Sequence, residues 1–328
     1  MSMRETQIEV FPRDPLRYDV PLPYRRTLFP LGCAVHIATD SEHVIRAAEE
    51  AWGEFAGEGV GRAVELRLAV AEGNPAVRAR PAMPRGQGHL ISFIHGPEDF
   101  VICDLRAGFA FGWLTPASVE DHAWLRYHFL ESAVYVLLAS IHHTPIHAAC
   151  IALNGTGVLL SAESGTGKST LAYQCARRGW TYVCDDASNI CDDGSISGLA
   201  HQIRFRPDAP TLFPELSGFE PADRPNGKPT LELATAPLGI SIATRAMVSR
   251  LVLLDRLSSG PQYLAPANRC EAVQQLEAAI CYGDDEMRAR HKQRLHALMS
   301  RLEVHRLYYH DLDWAERTLR ELARKGKL

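Results

Sequence analysis

Residues 157–170, Gly-Val-Leu-Leu-Ser-Ala-Glu-Ser-Gly-Thr-Gly-Lys-Ser-Thr, constrain the fold of this chain more than any other stretch. A short apolar run, Val158 to Leu160, enters a loop of small residues that closes on Gly165, Gly167, Lys168 and Ser169. Leu171, Ala172, Cys175 and Ala176 then recur at helical spacing, so strand, glycine loop and helix follow in that order. Glycines let successive backbone N–H groups converge on an anion, and the start of a helix adds the positive end of its dipole. The pattern reads as a phosphate cradle for a nucleoside triphosphate. It spans Ala162, Glu163, Ser164, Gly165, Thr166, Gly167, Lys168, Ser169 and Thr170. Lys168 is placed to reach the β- and γ-phosphates, and the Ser169 hydroxyl to ligate Mg²⁺. Ala162 stands where the usual pattern has glycine, and its methyl matters only if φ there is positive.

The surrounding residues separate this loop from the commonest kind. Ala148 to Leu153 and Thr156 to Leu160 are strand-like, and Asn154-Gly155 between them is the strongest short hairpin signal. The strand feeding the loop is thus expected to pair antiparallel with its predecessor, in a mixed sheet. After the loop helix, Arg178-Gly179 marks a stop, and Trp180 to Cys184 forms a short strand running into Asp185-Asp186. Two carboxylates at the end of a buried strand are costly unless they face a metal or a strong donor. One reading gives a metal-holding acid beside a general base; the other gives the aspartates a helix-capping or turn role. Ser249 to Asp255 also ends an apolar run in an acid, the form of a Walker-B strand, and competes for the metal role.

At these residues the chain resembles the catalytic domain of HPr kinase/phosphorylase and its kinase-only relatives, among them kinases that modify lasso-peptide precursors. The matching elements are Pro145-Ile146-His147-Ala148-Ala149-Cys150-Ile151, the hairpin, the loop 163–169, and Arg178-Gly179 leading to Val183-Cys184-Asp185-Asp186. The resemblance implies an α/β fold: a phosphoenolpyruvate-carboxykinase-like P-loop kinase domain with a mixed sheet, preceded by a small α+β N-terminal domain. It implies transfer of the γ-phosphate of ATP, with Mg²⁺, to a serine hydroxyl of a protein or peptide. On this resemblance Asp185 is the catalytic acid/base, Lys168 and His147 are further catalytic residues, and Ser169 and Asp186 are metal ligands. Without it, a lone histidine entering a strand, as His147 does, reads more often as a core residue.

The chain departs from the HPr-modifying enzymes in three ways. Ala162 replaces the first glycine, the glycine-rich signature after the aspartate pair is missing, and no glutamate occurs between Asp186 and Glu215. In place of the signature stands His201-Gln-Ile-Arg-Phe-Arg-Pro207. The resemblance therefore points to the kinase-only branch. Arg204 and Arg206 have two open readings, as phosphate-stabilising cations or as solvated strand residues. Lys228, at the end of a loop with six prolines between 207 and 229, is a further cation candidate.

The boundary falls near residue 118, giving domains 1–118 and 119–328. The first starts with a proline-rich leader, then a strand near 34–38, a capping box Thr39-Asp-Ser-Glu42 and a helix. Residues 63–70 alternate as a strand, and 89–95, 100–105 and 109–114 read as an antiparallel meander. The pattern over 119–141 predicts a long helix that links the domains and packs on the second. Near the C-terminus, helices are expected at 269–281 and 285–302, a strand at 304–309, and a last helix capped by Asp313-Trp-Ala-Glu316.

A net charge of −4 argues against nucleic acid and anionic membrane as partners. Eight cysteines without a C-x-x-C suggest buried free thiols and a reducing, cytoplasmic setting. A homo-oligomer is compatible with the resemblance. The competing functions are a P-loop ATPase using Asp255 and a nucleotide-binding regulator without kinase activity.

Overall fold

The computed structural model describes residues 19–55, 57, 61–71, 84–163, 165–223, 229–278, 280 and 283–325. The chain opens with strands β1 (Tyr24–Leu28) and β2 (Val35–Thr39), helix α1 (Glu42–Trp52) and strand β3 (Val64–Val70). A meander follows: β4 (Arg85–Gln87), β5 (Leu90–Ile94), β6 (Phe100–Asp104) and β7 (Phe109–Leu114). These form one sheet in the order β1-β2-β3-β7-β6-β5-β4. β2, β3 and β7 run parallel, and α1 supplies the crossover that the β2–β3 pair requires. Val64, Leu66 and Leu68 alternate inward, as period two demands.

The expected capping box at Thr39 is absent. Thr39 is fully buried in β2, opposite Tyr24 and Leu68, and its Oγ1 accepts the Ser41 N–H at 3.2 Å. Helix α1 begins one turn position later, with Ser41 as N-cap. A residue claimed by a strand ladder is not available to cap a helix.

The helical stretch before the phosphate loop is interrupted. It comprises α2 (Pro116–Glu120), α3 (His122–Leu125), a π turn at Arg126–Leu130 and α4 (Glu131–Ile141). Asp121 breaks the run and caps the next turn, accepting the Trp124 N–H at 3.0 Å. The expectation that this stretch packs on the second domain is corrected. Leu125, Phe129, Val134, Leu137 and Leu138 lie in one core with Trp52, Leu66, Leu68 and Val101. Trp52 donates its indole N–H to Tyr135 at 3.0 Å, and Ser140 donates to the Leu105 carbonyl at 2.9 Å. A seven-stranded sheet needs a cover over its apolar face, and α1 alone is too short to provide it.

The remainder begins with β8 (Thr144–His147), β9 (Ala149–Leu153) and β10 (Thr156–Ser161), then α5 (Lys168–Arg177). Strands β11 (Thr181–Cys184), β12 (Ala187–Ile190), β13 (Ile196–Gly198), β14 (Gln202–Phe205), β15 (Ala222–Asp223), β16 (Pro229–Ala234) and β17 (Arg245–Ala246) follow. Then come β18 (Val248–Arg256), β19 (Tyr263–Pro266), α6 (Arg269–Glu277), α7 (Asp285–Arg301), β20 (Glu303–Tyr309) and α8 (Leu312–Arg324). The central sheet runs β11-β9-β10-β18-β20-β19. Pairs β10–β18 and β18–β20 are parallel; the others are antiparallel, so the sheet is mixed. The hairpin β9–β10 turns through Asn154 (φ 51°) and Gly155 (φ 81°), the left-handed pair a two-residue hairpin favours.

Both faces of this sheet are covered, which is why its strands read as continuous apolar runs. Val158, Leu160, Val252 and Leu254 point to one core with Leu171, Cys175 and Leu319, under α5 and α8. Leu159, Leu251 and Leu253 point to the other, with Leu276, Leu295 and Leu298 of α6 and α7. Two smaller sheets flank it, β17-β13-β12-β8 and β14-β16-β15. The last helix is capped by Asp311, which accepts the Trp314 N–H at 2.6 Å, and not by Asp313. Asp313 instead binds Gln174 and Arg178, while buried Glu316 accepts the Trp180 indole N–H at 2.8 Å. Asp313 thus fastens α8 to α5, and Glu316 fastens it to the chain just before β11.

Cys33, Cys103, Cys150, Cys175, Cys184 and Cys191 are buried free thiols; Cys270 is exposed and free, and Cys281 lies outside the described residues. Burial pushes the Cys103 thiol up to about 12 and those of Cys150 and Cys175 well above the ordinary range. Among the described residues no helix is long and apolar enough to cross a membrane.

Two buried histidines make stability depend on pH. Burial pushes His143 down to about 3 and His291 down to about 4, with neighbouring cations adding to the effect. The unfolded chain titrates these groups near 6.5. Below that pH the unfolded state takes up protons that the fold refuses, so stability is present above about 6.5 and declines toward about 4. Urea midpoints should fall between pH 7.5 and pH 5.0, by up to roughly 2 kcal/mol for each histidine. A His143→Gln/His291→Gln double variant should show a smaller drop; an equal drop assigns the effect elsewhere.

Candidate active site

The glycine loop leaves β10 at Ser161 and becomes α5 at Lys168. Gly165 (φ 87°) and Gly167 (φ 105°) both lie in the left-handed region, and Gly167 is the N-cap of α5. Ala162 needs no glycine: the described non-glycine residues with positive φ are Leu31 and Asn154. Ala162 is buried, and its carbonyl accepts from Lys168 Nζ at 3.0 Å. Glu163 is exposed and its carbonyl accepts the Thr166 N–H at 3.3 Å, closing the turn. Ser169 and Thr170 lie half-buried in the first turn of α5. Ser164 lies outside the described residues.

Strand pairing brings the two aspartates to this loop. β9 sits between β10 and β11, so the loop strand and the strand ending at Cys184 share one neighbour. β12 starts directly after Asp186 and pairs with β8, placing Ala187 opposite His147. Since a strand and not a helix follows the pair, the helix-capping reading of these aspartates falls away. His147 is 41% exposed at its side chain and is not a core residue.

His147 bridges the charged groups. Its Nδ1 lies 3.2 Å from Asp186 Oδ1 and its Nε2 lies 2.8 Å from Lys168 Nζ. An ammonium has only donors, so Nε2 accepts and Nδ1–H faces the carboxylate: the ring is neutral. Burial lowers the His147 pKa, with Asp186 opposing and Lys168 adding to the shift. Burial also lowers Lys168, with Asp186 and Asp185 opposing. Asp185 is buried, accepts the Arg204 backbone N–H at 3.0 Å and the Ser169 hydroxyl, and burial raises its pKa.

The remaining candidates divide. Arg206 reaches the loop: a Cβ at Gly165 would lie 3.0 Å from its Nη2. Arg204 does not. Its guanidinium donates to Glu232 Oε2 at 2.8 Å and to Gln202 Oε1 at 3.1 Å. Asp255 ends β18 and lies 3.7 Å from Arg306 Nη1. Lys228 lies outside the described residues. Tyr309, which no sequence pattern marks, is buried under the loop with its hydroxyl 3.5 Å from the Thr166 carbonyl.

The residues present fit a magnesium nucleotide. A Cβ at Gly165 or Gly167 would crowd Arg206 or the Tyr309 hydroxyl (3.3 Å), so the cradle is left open by glycine. Ser169, Asp185 and Asp186 are hard oxygen donors, which suit Mg²⁺. Among the described residues no three His, Cys, Asp or Glu side chains converge as a cage for a metal.

Known proteins match parts of this chain. The family model described as "SynChlorMet cassette protein ScmC" covers residues 112–207. The HPr kinase/phosphorylase of Clostridium beijerinckii is 34% identical over 74 residues, 22% of this chain and 24% of the relative. That of Clostridium perfringens is 38% identical over 63 residues, 19% and 20% of the respective chains. Over the matched residues the chain is similar to HPr kinase/phosphorylases. The match spans about a quarter or less of these relatives' length. The solved structure titled "Structure of the Hpr(Ser) kinase/phosphatase from Coxiella burnetii" aligns at a TM-score of 0.30 and 14% identity. The alignment covers 56% of this chain and 99% of that one, too loose a fit to assign a fold.

Gly167 gives a direct test of the glycine loop's geometry. Gly167→Ala forces a left-handed φ on an L-residue, so unfolding free energy should fall by about 1–2 kcal/mol in urea titration. Gly218→Ala, at a glycine without positive φ or close neighbours, serves as the control and should change little.

Proposed function

We propose that this chain is a kinase that uses ATP and Mg²⁺ to phosphorylate a hydroxyl, a serine's, on a protein or peptide acceptor. The observation that carries the reading is the convergence of Lys168, His147, Asp185 and Asp186 at the N-terminus of α5. The central sheet with its glycine loop is read as the phosphoenolpyruvate-carboxykinase-like P-loop type. Residues 1–118 are read as a separate N-terminal domain and 119–328 as the catalytic one, with the stretch 122–141 sealing the first domain's core. Its setting is taken as the cytoplasm, where ATP and reduced thiols coexist.

Each residue has a defined task. The loop amides from Ala162 to Thr170 and the α5 N-terminus bind phosphate oxygens. Lys168, held by the Ala162 carbonyl and His147, presents its ammonium to the β- and γ-phosphates with little freedom to lose. Ser169 and Asp186 would hold Mg²⁺, whose charge neutralises the phosphates when bound. Asp185, its pKa raised by burial, accepts the proton of the attacking hydroxyl. Arg206 faces the loop from the other side and offsets charge on the phosphates. Neither the acceptors named for the curated relatives nor lasso-peptide precursors are assigned to this chain.

Transfer of label from ATP to serine peptides tests the reading. Lys168→Ala should weaken ATP binding at least tenfold by calorimetry; unchanged affinity would overturn the phosphate assignment. Asp185→Asn should bind ATP within about threefold of the parent while transfer drops by about 100-fold or more. Equal transfer by that variant would remove Asp185 as the base.

A further inference from the structure

The base assigned above is held by a backbone amide, and that amide belongs to the residue with the most elaborate side-chain anchorage near the site. Arg204 donates its N–H to Asp185 Oδ2 at 3.0 Å. Its side chain, 25% exposed, is held by Glu232 and Glu131, two residues that line a cleft of about 250 Å³ between the two halves of the chain. There its Nε donates to Glu232 Oε2 at 2.8 Å, directly across the β14–β16 pair, where Arg204 faces Glu232 in register. Its Nη2 lies 3.8 Å from Glu131 Oε2. The other oxygen of Glu131 is held by Arg126 Nη2 at 3.4 Å.

Glu131 is the first residue of α4, which belongs to the core of the N-terminal sheet. Glu232 comes from β16, within the core beneath α5. The guanidinium is thus fixed from two sides by carboxylates on separately packed elements. A planar five-donor fork held at two of its faces cannot rotate, and it fixes the backbone of its own residue in turn.

We propose that Glu131, Arg204 and Glu232 form a positioning clamp for Asp185, by which the N-terminal half of the molecule holds the catalytic carboxylate in place. The clamp touches neither nucleotide nor acceptor; it acts through the Arg204 amide. This rests on the kinase reading above. It also accounts for an arginine beside the site whose guanidinium is taken up by two glutamates. A π turn at Arg126–Leu130 immediately precedes Glu131, and such insertions re-aim the residues that follow.

Two measurements on the full chain decide it. Amide hydrogen exchange at Arg204 needs no activity. Glu131→Gln and Glu232→Gln, each isosteric, should raise exchange at this amide about tenfold, with neighbouring β14 amides changing less. Equal protection in both variants and the parent would overturn the clamp. In transfer from ATP to serine peptides, kcat should fall about 10- to 100-fold while ATP affinity stays unchanged. In an Asp185→Asn background the same substitutions should have no further effect on kcat.

Loss of ATP affinity, or an undiminished fall in the Asp185→Asn background, would assign these residues a merely structural role. If the parent phosphorylates none of the peptides, the kinase reading fails, while the exchange measurement still accepts or rejects the clamp.

Discussion

The Lys168 ammonium is the charge on which the rest of the site depends. It is buried to 6% exposure at the start of α5, where desolvation disfavours the cation. Three groups compensate: the Ala162 carbonyl, the neutral His147 ring and the two aspartates beyond it. A buried ammonium without them would lose its charge, and the loop would lose its strongest attraction for phosphate. The sheet is arranged so that each compensating group arrives from a different strand. β10 carries Ala162 just past its end, β8 ends on His147, and β11 ends just before Asp185.

The mixed sheet follows from the same requirement. With β9 as an antiparallel neighbour of both β10 and β11, the loop strand and the aspartate strand point the same way, one strand apart. Their C-terminal ends therefore open on the same side. Parallel strands elsewhere, β18 and β20, complete the floor and place Tyr309 beneath the loop. Burial on both faces supplies the rigidity that the proposed phosphate site needs.

The N-terminal half contributes more than its sequence suggests. Its core is closed by α4, so the two halves share a helix whose first residue, Glu131, reaches Arg204. Glu131 carries no motif, and Arg204 in the sequence is one of two arginines of equal standing. Their separation of 73 positions puts this contact beyond any local pattern, whereas Arg206 parts from Arg204 because it follows the end of β14, where the period of two no longer holds.

What the sequence determined by itself is whatever depends on neighbours along the chain. The Asn154-Gly155 turn, the strand–loop–helix order, the glycine positions and the aspartate pair after one short strand all follow from local conformational preference and spacing. Tertiary structure decided the rest. Thr39 and Asp313 matched capping boxes, yet a strand ladder took the first and α5 took the second. The helix pattern over 119–141 was legible, but not the sheet it covers, because an apolar stripe records that a face is buried and not against what. Which cation lies against the loop is likewise set by packing: Arg206 lies against Gly165, while two glutamates from opposite halves of the molecule hold Arg204.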